Sequence, residues 1–240
     1  MVRANRPDCK TVLLLDSFRF LRIANSYGGS IMFVRPCWKP QSEQDVYGII
    51  RDHSWGKLIS NSDSGPLVTN LPFVLDAGRK PIVLTSHLAR ANDHAAVLQV
   101  ATHPVLAVFE GPSSYVTASW YPGRDMPPTI YYSAVHCYGH LVFQDKDALL
   151  ASVEDLTVRS EKHIENGWKT SEVPREAITR RLNSILGFEL HVDRLEAKFK
   201  LGQDEPKRDA MAVAERLLAS SNPGDLVLGA MVLRYNESRP

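Results

Sequence analysis

The sequence predicts an α+β fold in which short strands form a β-barrel and the helices are concentrated in the C-terminal half. In the first part of the chain, short apolar runs alternate with turn residues as far as Phe143. After Asp145 the apolar residues change to helical spacing. The length of 240 residues suits one large domain, or a domain with a helical appendage.

The first predicted elements are a short helix and a β-hairpin. The segment 42–45 reads Ser-Glu-Gln-Asp, a capping-box pattern before an amphipathic helix that carries Val46, Tyr47, Ile49 and Ile50. Lys57–Ser60 has strand character, and residues 61–65 are turn formers. Pro66–Leu75 is therefore expected to be the partner strand of a hairpin.

The middle of the chain predicts further strands around one helix. Helical spacing runs over 89–100, and residues 121–128 form a loop because they include three prolines and a glycine. Residues 130–143 are rich in aromatic and β-branched side chains, which is typical of a long strand. The other predicted strands are 80–85, 105–109 and 114–119.

The C-terminal part predicts mainly helices. Three are expected, at about 147–164, 173–186 and 206–220. Between the last two, residues 188–201 predict one or two strands.

Charge and cysteine content exclude several classes of protein. The net charge is +1 and basic and acidic residues are interleaved, so direct nucleic-acid binding is not expected. The cysteines, Cys9, Cys37 and Cys137, are odd in number and form no CxxC pair. This pattern indicates a reducing compartment, and we expect a cytoplasmic protein. No apolar run reaches the length that spans a membrane.

Four short segments in fixed order resemble a known family. They are Leu71–Asp76, Ser86–Asn92, Ser119–Pro122 and Ala134–Gly139. Together they resemble the PaiB-like family, described as FMN-binding negative transcriptional regulators. A fifth stretch, Lys198–Gln203, resembles that family's Lys-aromatic-Lys-Leu-Ser-Gln motif, with Gly202 in place of serine. Departures include Asn70, Ser113 and Ile130, where the family usually has two histidines and a tryptophan.

The resemblance implies an FMN-binding split β-barrel with helices in its C-terminal half. Residues 1–31 would be an N-terminal extension and residues 32–240 the split-barrel domain. The leading hypothesis is a haem b-dependent redox enzyme that acts on an N-oxygenated amine or amino acid, since piperazate synthases, which form an N–N bond, resemble this family. The alternatives are FMN as cofactor, in a regulator without catalysis or in an oxidoreductase. A homodimer is expected in each case, and a small-molecule substrate if the protein is an enzyme.

His87 is the first candidate for chemistry. It follows a strand and precedes a helix, which predicts a position at the barrel rim. There an imidazole could ligate haem iron, hydrogen-bond a flavin or donate a proton. An imidazole satisfied by the backbone is the alternative. Arg90 and Asn92, at the start of the helix, could hold a phosphate or a propionate, or form surface contacts only.

The remaining candidates lie on three other segments. Ser119, Trp120 and Tyr121 could form a wall of the cofactor site, or pack in the core. Strand alternation places His136 and Tyr138 on one face as catalytic candidates and Cys137, as a packing residue, on the other. Lys198 and Lys200 share a strand face and, with Gln203, could bind an anionic cofactor group, or be solvated. We expect His94 to be exposed, and His191, in the C-terminal half where the helices are concentrated, matches no metal-ligand spacing.

Overall fold

The computed structural model describes residues 32–239, so the predicted extension, residues 1–31, lies outside the described part of the chain. The described residues form two compact units. One, the sheet unit, comprises Gln44–Glu110 and Val135–Leu195. The other, the terminal unit, comprises residues 32–43, 111–134 and 196–239.

Seven strands form one sheet in the order β2-β1-β5-β6-β7-β4-β3. The first four strands lie in the sheet unit, and the three longest continue into the residues of the terminal unit. The strands are β1 (Trp55–Ser62), β2 (Gly65–Pro72), β3 (Val74–Asp76), β4 (Val83–Ala89), β5 (Val105–Val116), β6 (Thr129–Phe143) and β7 (Ile185–Lys200).

The register of two strand pairs sets the faces of the sheet unit. β1 and β2 form the predicted hairpin, closed where Ser62 pairs with Gly65. Gly65 has φ of 121°, a conformation that favours glycine. β4 runs antiparallel to β7 and pairs His87 with Gly187. Side chains directly opposite in such a pair share one face of the sheet.

The core of the sheet unit is built around Phe73. Its ring meets Phe109 edge-on at 5.3 Å and Phe188 at 6.3 Å between centroids. A Cβ at Gly56 would lie 2.7 Å from the Phe109 ring, so the absence of a side chain there allows this packing. Leu58 and Leu84 are fully buried in the same unit.

Helices α1 (Glu43–Asp52), α2 (Asp93–Val100), α3 (Lys146–Glu161) and α4 (Arg175–Leu182) belong mainly to the sheet unit. α3 and α4 share a small apolar cluster made by Leu149, Leu150 and Leu182, with Ile185 of β7 packed against it. These leucines are the buried residues of the two helices, and most of the other residues of each helix are exposed.

The terminal unit contains α5 (Lys207–Leu218) and α6 (Pro223–Asn236), which pack on each other. Tyr235 stacks on Phe199 of β7 with 5.7 Å between centroids. The side-chain amide of Asn236 is fully buried and donates to the carbonyls of Leu201 and Val232 at 2.8 Å. These bonds fasten the last helix to the end of β7.

The predicted α+β class is confirmed, with helices more frequent in the C-terminal half. Several boundaries were wrong. The strands expected at 105–109 and 114–119 are one strand, β5, and the helix expected from Ala89 begins at Asp93. Helix α6 was not predicted, whereas β7, which includes His191, covers most of the stretch 188–201 that predicted one or two strands. No helix within residues 32–239 is long and apolar enough to cross a membrane.

Candidate functional site

His87 lies inside β4, two residues before its end, not after the strand as predicted. Its side chain is half-buried and shares a face with Thr85, while the intervening Ser86 is buried on the opposite face. The Ser86 hydroxyl donates to the Pro72 carbonyl at 2.7 Å, which gives this serine a structural role. Burial lowers the pKa of His87 below its usual value, so the imidazole is neutral at physiological pH.

Arg90 and Asn92 occupy the turn between β4 and α2. The Arg90 amide donates to the Ser184 carbonyl at 2.9 Å, and its side chain is exposed. Asn92 is the N-cap of α2, since its Oδ1 accepts from the His94 amide at 3.0 Å. Its amide nitrogen donates to the Thr69 hydroxyl at 3.4 Å. Asn92 therefore has a clear structural role in this chain, and its predicted contact with a cofactor stays a prediction.

The prediction that His94 is exposed was wrong, because the side chain is only 2% exposed. Its Nε2 lies 2.9 Å from the Ser60 hydroxyl and its Nδ1 lies 2.8 Å from the Thr69 hydroxyl. Burial lowers its pKa. Both ring nitrogens are therefore satisfied inside the sheet unit, and the chain contains a buried polar network that the sequence pattern did not reveal.

His136 and Tyr138 share one face of β6, as the alternation predicted. Their side chains are half-buried, whereas Val135 and Cys137 on the other face are fully buried. The Tyr138 hydroxyl lies 3.5 Å from His136 Nδ1, and the Arg194 guanidinium lies 3.8 Å from the centre of the Tyr138 ring. The two candidates are thus neighbours in the sheet unit. Cys137 is a packing residue, as predicted, and burial raises its pKa.

Lys198 is surrounded by aromatic rings. Its Nζ lies 4.6 Å from the Trp38 ring centre, 5.3 Å from that of Tyr132 and 5.7 Å from that of Phe33. Within residues 32–239, no carboxylate lies within ion-pair distance of it. The Trp38 ring is nearly buried, and its Nε1 donates to Asp204 at 3.0 Å. This arrangement holds a cation without neutralising it.

Lys200 approaches the same indole, with its Nζ 5.9 Å from the Trp38 ring centre. It donates to the Thr129 hydroxyl and, at 3.3 Å, to the Ile130 carbonyl. Both lysines therefore lie on one face of β7, as predicted, and each keeps its positive charge unopposed by a direct carboxylate partner in the described chain. The Lys198 cluster, as we call it, consists of Phe33, Trp38, Tyr132, Lys198 and Lys200.

Gln203 is buried and its amide bonds to the backbone. Nε2 donates to the Phe199 carbonyl and Oε1 accepts from the Leu201 amide, both at 2.7 Å. Gly202 has φ of 85°, and a Cβ there would lie 2.4 Å from the Tyr131 hydroxyl. The close approach explains glycine at this position. Gln203 shapes the end of β7, and its predicted binding of a cofactor stays a prediction.

Ser119, Trp120 and Tyr121 leave β5 through a single turn of 3₁₀ helix, Ala118–Trp120, in the terminal unit. The Thr117 hydroxyl caps that turn by accepting from the Ser119 amide at 3.2 Å. Ser119 is exposed and Trp120 half-exposed, whereas Tyr121 is buried. All three line a groove together with residues of α5.

A buried polar cluster lies under Tyr121 and was not found from the sequence. Tyr131 donates a hydrogen bond to Glu205, which is 7% exposed. Burial raises the pKa of Glu205. Burial and the neighbouring Glu205 carboxylate also raise the pKa of Tyr121 and of Tyr131. The Tyr121 hydroxyl and both oxygens of Asp209 are buried without a hydrogen-bond partner in the described chain. Spaced far apart in sequence, these residues carry no motif that could have identified them.

The structure therefore brings together some of the predicted residues. His136 lies next to Tyr138 in the sheet unit. In the terminal unit, the ammonium groups of Lys198 and Lys200 both lie near the Trp38 ring. His87 and Asn92 stand at the end of β4 and at the start of α2, each with its own neighbours. In the described part of the chain, no group of three or more metal-ligating side chains is suitably placed to hold a metal ion.

Comparison with known proteins identifies the fold and the family. The flavocytochrome Anf3 from Azotobacter vinelandii superposes with a TM-score of 0.53 at 11% identity, covering 68% of this chain and 69% of that one. The FAD and haem binding protein from Mycobacterium smegmatis gives 0.52 at 16% identity, covering 72% and 78%. These likenesses concern the fold alone, and they agree with the predicted split barrel.

Sequence comparison identifies the family as well. Protease synthase and sporulation protein PAI 2 of Bacillus subtilis (strain 168) is 28% identical over 192 residues, which cover 80% of this chain and 92% of that protein. The family model described as "Putative FMN-binding domain" matches residues 32–194, which is more than half of the chain. The protein therefore belongs to this FMN-binding family, whose PaiB-like motifs it carries.

Proposed function

We propose that this protein is a redox enzyme that binds FMN and acts on a small molecule. Family membership supports a redox or FMN-binding role in general. The single observation that carries the proposal to particular residues is the Lys198 cluster, where an unopposed ammonium group is held among three aromatic rings.

The residues of the Lys198 cluster fit an anionic, partly aromatic cofactor. FMN carries a phosphate, which an ammonium group such as that of Lys198 binds as a point charge. The Lys200 ammonium and the Thr129 hydroxyl next to it can add hydrogen bonds. Aromatic side chains provide apolar contact area beside these charges. When bound, FMN supplies hydride and electron transfer, which no side chain of the protein can provide.

His136 and Tyr138 are the candidates for proton transfer in the sheet unit. Both can donate or accept a proton, and their side chains lie 3.5 Å apart at the closest polar atoms. The Arg194 guanidinium packs over the Tyr138 ring and helps to hold that side chain in place. A catalytic role for this pair is part of the proposal, as is the homodimer expected from the resemblance.

A second candidate is the haem b-dependent reaction predicted from the resemblance. It is favoured by His87, whose neutral, half-buried imidazole is the form that ligates iron. The two solved structures with the same fold are named as haem- or flavin-containing proteins. In this reaction the N–O bond of an N-hydroxylated amine breaks, water leaves, and a second amine nitrogen forms the N–N bond.

The absorption spectrum of the purified protein separates the two candidates. We expect the two bands of an oxidised flavin, in the protein as purified or after titration with FMN, and bleaching of the longer-wavelength band on reduction. A Soret band that sharpens on titration with hemin, without flavin bands, would contradict the FMN proposal. In that case His87→Ala should lose the haem, and N-hydroxylated diamino acids are the substrates to test. Sedimentation at micromolar concentration tests the dimer.

A further inference from the structure

A groove of about 510 Å³ lies in the terminal unit between the segment 119–124 and helix α5. This volume falls in the range of small-molecule sites, roughly 300–1,000 Å³. We call it the Trp120 groove. One wall is formed by Ser119, Trp120, Tyr121, Pro122 and Arg124, and the other by Ala212, Glu215, Arg216 and Ala219.

The α5 wall is open because two of its four side chains are small. Ala212, Glu215, Arg216 and Ala219 are spaced three, four and seven residues from the first, so they lie on one face of the helix. The two alanines end at Cβ and leave space between the longer side chains. On the opposite wall the half-exposed Trp120 presents an aromatic surface to that space.

The guanidinium of Arg124 is not neutralised by the acid next to it. Asp125 lies 3.7 Å from Arg208, which also lies 3.4 Å from the buried Asp209. Gly123 makes room for this contact, since a Cβ there would lie 2.4 Å from Arg208 Nη2. The two acidic groups near this turn therefore pair with Arg208. The positive charge of Arg124 remains available to a ligand in the groove.

Arg216 is likewise unopposed. The residues three and four positions away are Ala212 and Val213 on α5, and Ala219 and Ser220 just after it, and none of them is acidic. Glu215, its neighbour in sequence, also lines the groove but forms no ion pair with it. Within residues 32–239, neither Arg124 nor Arg216 has a carboxylate at ion-pair distance. The groove thus offers two free guanidinium groups against one carboxylate.

We propose that the Trp120 groove is a binding site for a small planar carboxylate. Guanidinium groups match carboxylates in shape and charge, and an indole favours a flat, unsaturated body. None of these residues belongs to the Lys198 cluster. The inference goes beyond the proposed function, and its test needs no bound cofactor.

Three probes separate the two features of the site. Benzoate has the charge and the flat ring, benzamide has the ring without the charge, and cyclohexanecarboxylate has the charge without the flat ring. By isothermal titration with the full chain, we expect benzoate to bind about tenfold or more tightly than either of the others. Equal affinity for all three, or no binding of benzoate, would overturn the proposal.

Variants then assign the site. Arg124→Met and Arg216→Met should each weaken benzoate binding about tenfold, and Ala212→Leu should weaken it by filling the groove. Arg180→Met, which removes an exposed guanidinium of α4, is the matched control and should leave it unchanged. If the Arg180 variant weakens binding as much as the other two, the groove is not the site.

Repeating the benzoate titration with FMN present separates this site from the cofactor site. Unchanged benzoate affinity supports two sites, whereas abolished binding would mean that the groove belongs to the cofactor site and would overturn the proposal. FMN affinity is read in its own titration, so a protein that binds benzoate but no FMN contradicts only the proposed function.

Discussion

The buried network around His94 should be a major source of stability for the sheet unit. His94 joins α2 to the β1–β2 hairpin through the Ser60 and Thr69 hydroxyls, at 2.9 and 2.8 Å. His94→Leu puts an apolar side chain of similar size in this position and removes both hydrogen bonds. It also leaves the buried Ser60 hydroxyl without its partner.

The expected loss follows from these contacts. Two hydrogen bonds contribute about 0.5–1.5 kcal/mol each, and an unsatisfied buried hydroxyl costs about 1–3 kcal/mol. Because these contributions are not fully additive, we expect His94→Leu to lower the free energy of unfolding by about 2–4 kcal/mol. Urea denaturation at neutral pH measures it. His103→Leu, at an exposed histidine, is the control and should change stability by less than about 0.5 kcal/mol.

A double variant tests the reasoning. Replacing both partners of a buried hydrogen bond by apolar groups costs less than orphaning one of them. His94→Leu with Ser60→Ala should therefore recover about 1 kcal/mol or more relative to His94→Leu alone. A double variant less stable than His94→Leu would refute the assigned role of the Ser60 hydroxyl.

The same histidine predicts a pH dependence. Burial lowers the pKa of His94 in the folded state. The contribution of His94 to folding stability is therefore fully present above the ordinary histidine pKa of 6.5 and is lost as the pH falls through the lowered value. The difference in unfolding free energy between wild type and His94→Leu should therefore shrink as the pH falls below 6.5. A difference that grows toward acid pH would contradict the neutral, buried imidazole.

Three further predictions concern single positions. Gly139→Ala would place a Cβ 1.9 Å from the His191 carbonyl oxygen and should cost about 2 kcal/mol or more in urea denaturation, whereas Gly48→Ala, which meets nothing within 4 Å, should not destabilise. Asn92→Ala removes the cap of α2 and should cost about 1 kcal/mol, with Asn92→Ser, which can still cap, costing less. Burial raises the pKa of Glu205, so its contribution to folding stability is complete below the ordinary carboxyl pKa and is lost as the pH rises through the raised value. Glu205→Gln should remove this loss of up to about 1.4 kcal/mol per pH unit. Equal pH profiles of unfolding free energy for the wild type and the variant would contradict this prediction.

Local sequence patterns predicted the elements whose burial is regular. On β6 the alternation of buried and half-buried residues is complete from Tyr131 to Gly139, so the shared face of His136 and Tyr138 could be derived from spacing alone. The same holds for Lys198 and Lys200 on β7.

Elements without such a pattern were missed. Helix α6 is apolar on several sides and lacks the amphipathic spacing that identifies a helix, although Asn222 and Pro223 form a start signal in the sequence. The strands predicted at 105–109 and 114–119 run on as one strand, β5, through Gly111 and Pro112, because tertiary context overrides local preference.

The polar networks could not be predicted because they join residues far apart in the chain. The burial of His94 depends on the return of α2 to the β1–β2 hairpin, which is a property of the fold. Glu205 reaches Tyr131 across 74 positions of sequence, and Lys198 needs Trp38, about 160 residues earlier, to form its cluster. Motif resemblance identified the lysines, but only the structure shows the aromatic rings around one of them.

The most direct test of the account is the affinity of the protein for FMN in wild type and in Lys198→Met. The substitution keeps the length and apolar body of the side chain but removes the charge, and Lys162→Met, at an exposed lysine, serves as the matched control. Titration followed by quenching of flavin fluorescence should show binding in the wild type and the control, and about tenfold or weaker binding in Lys198→Met. Equal affinity in all three proteins, or none in the wild type, would contradict it.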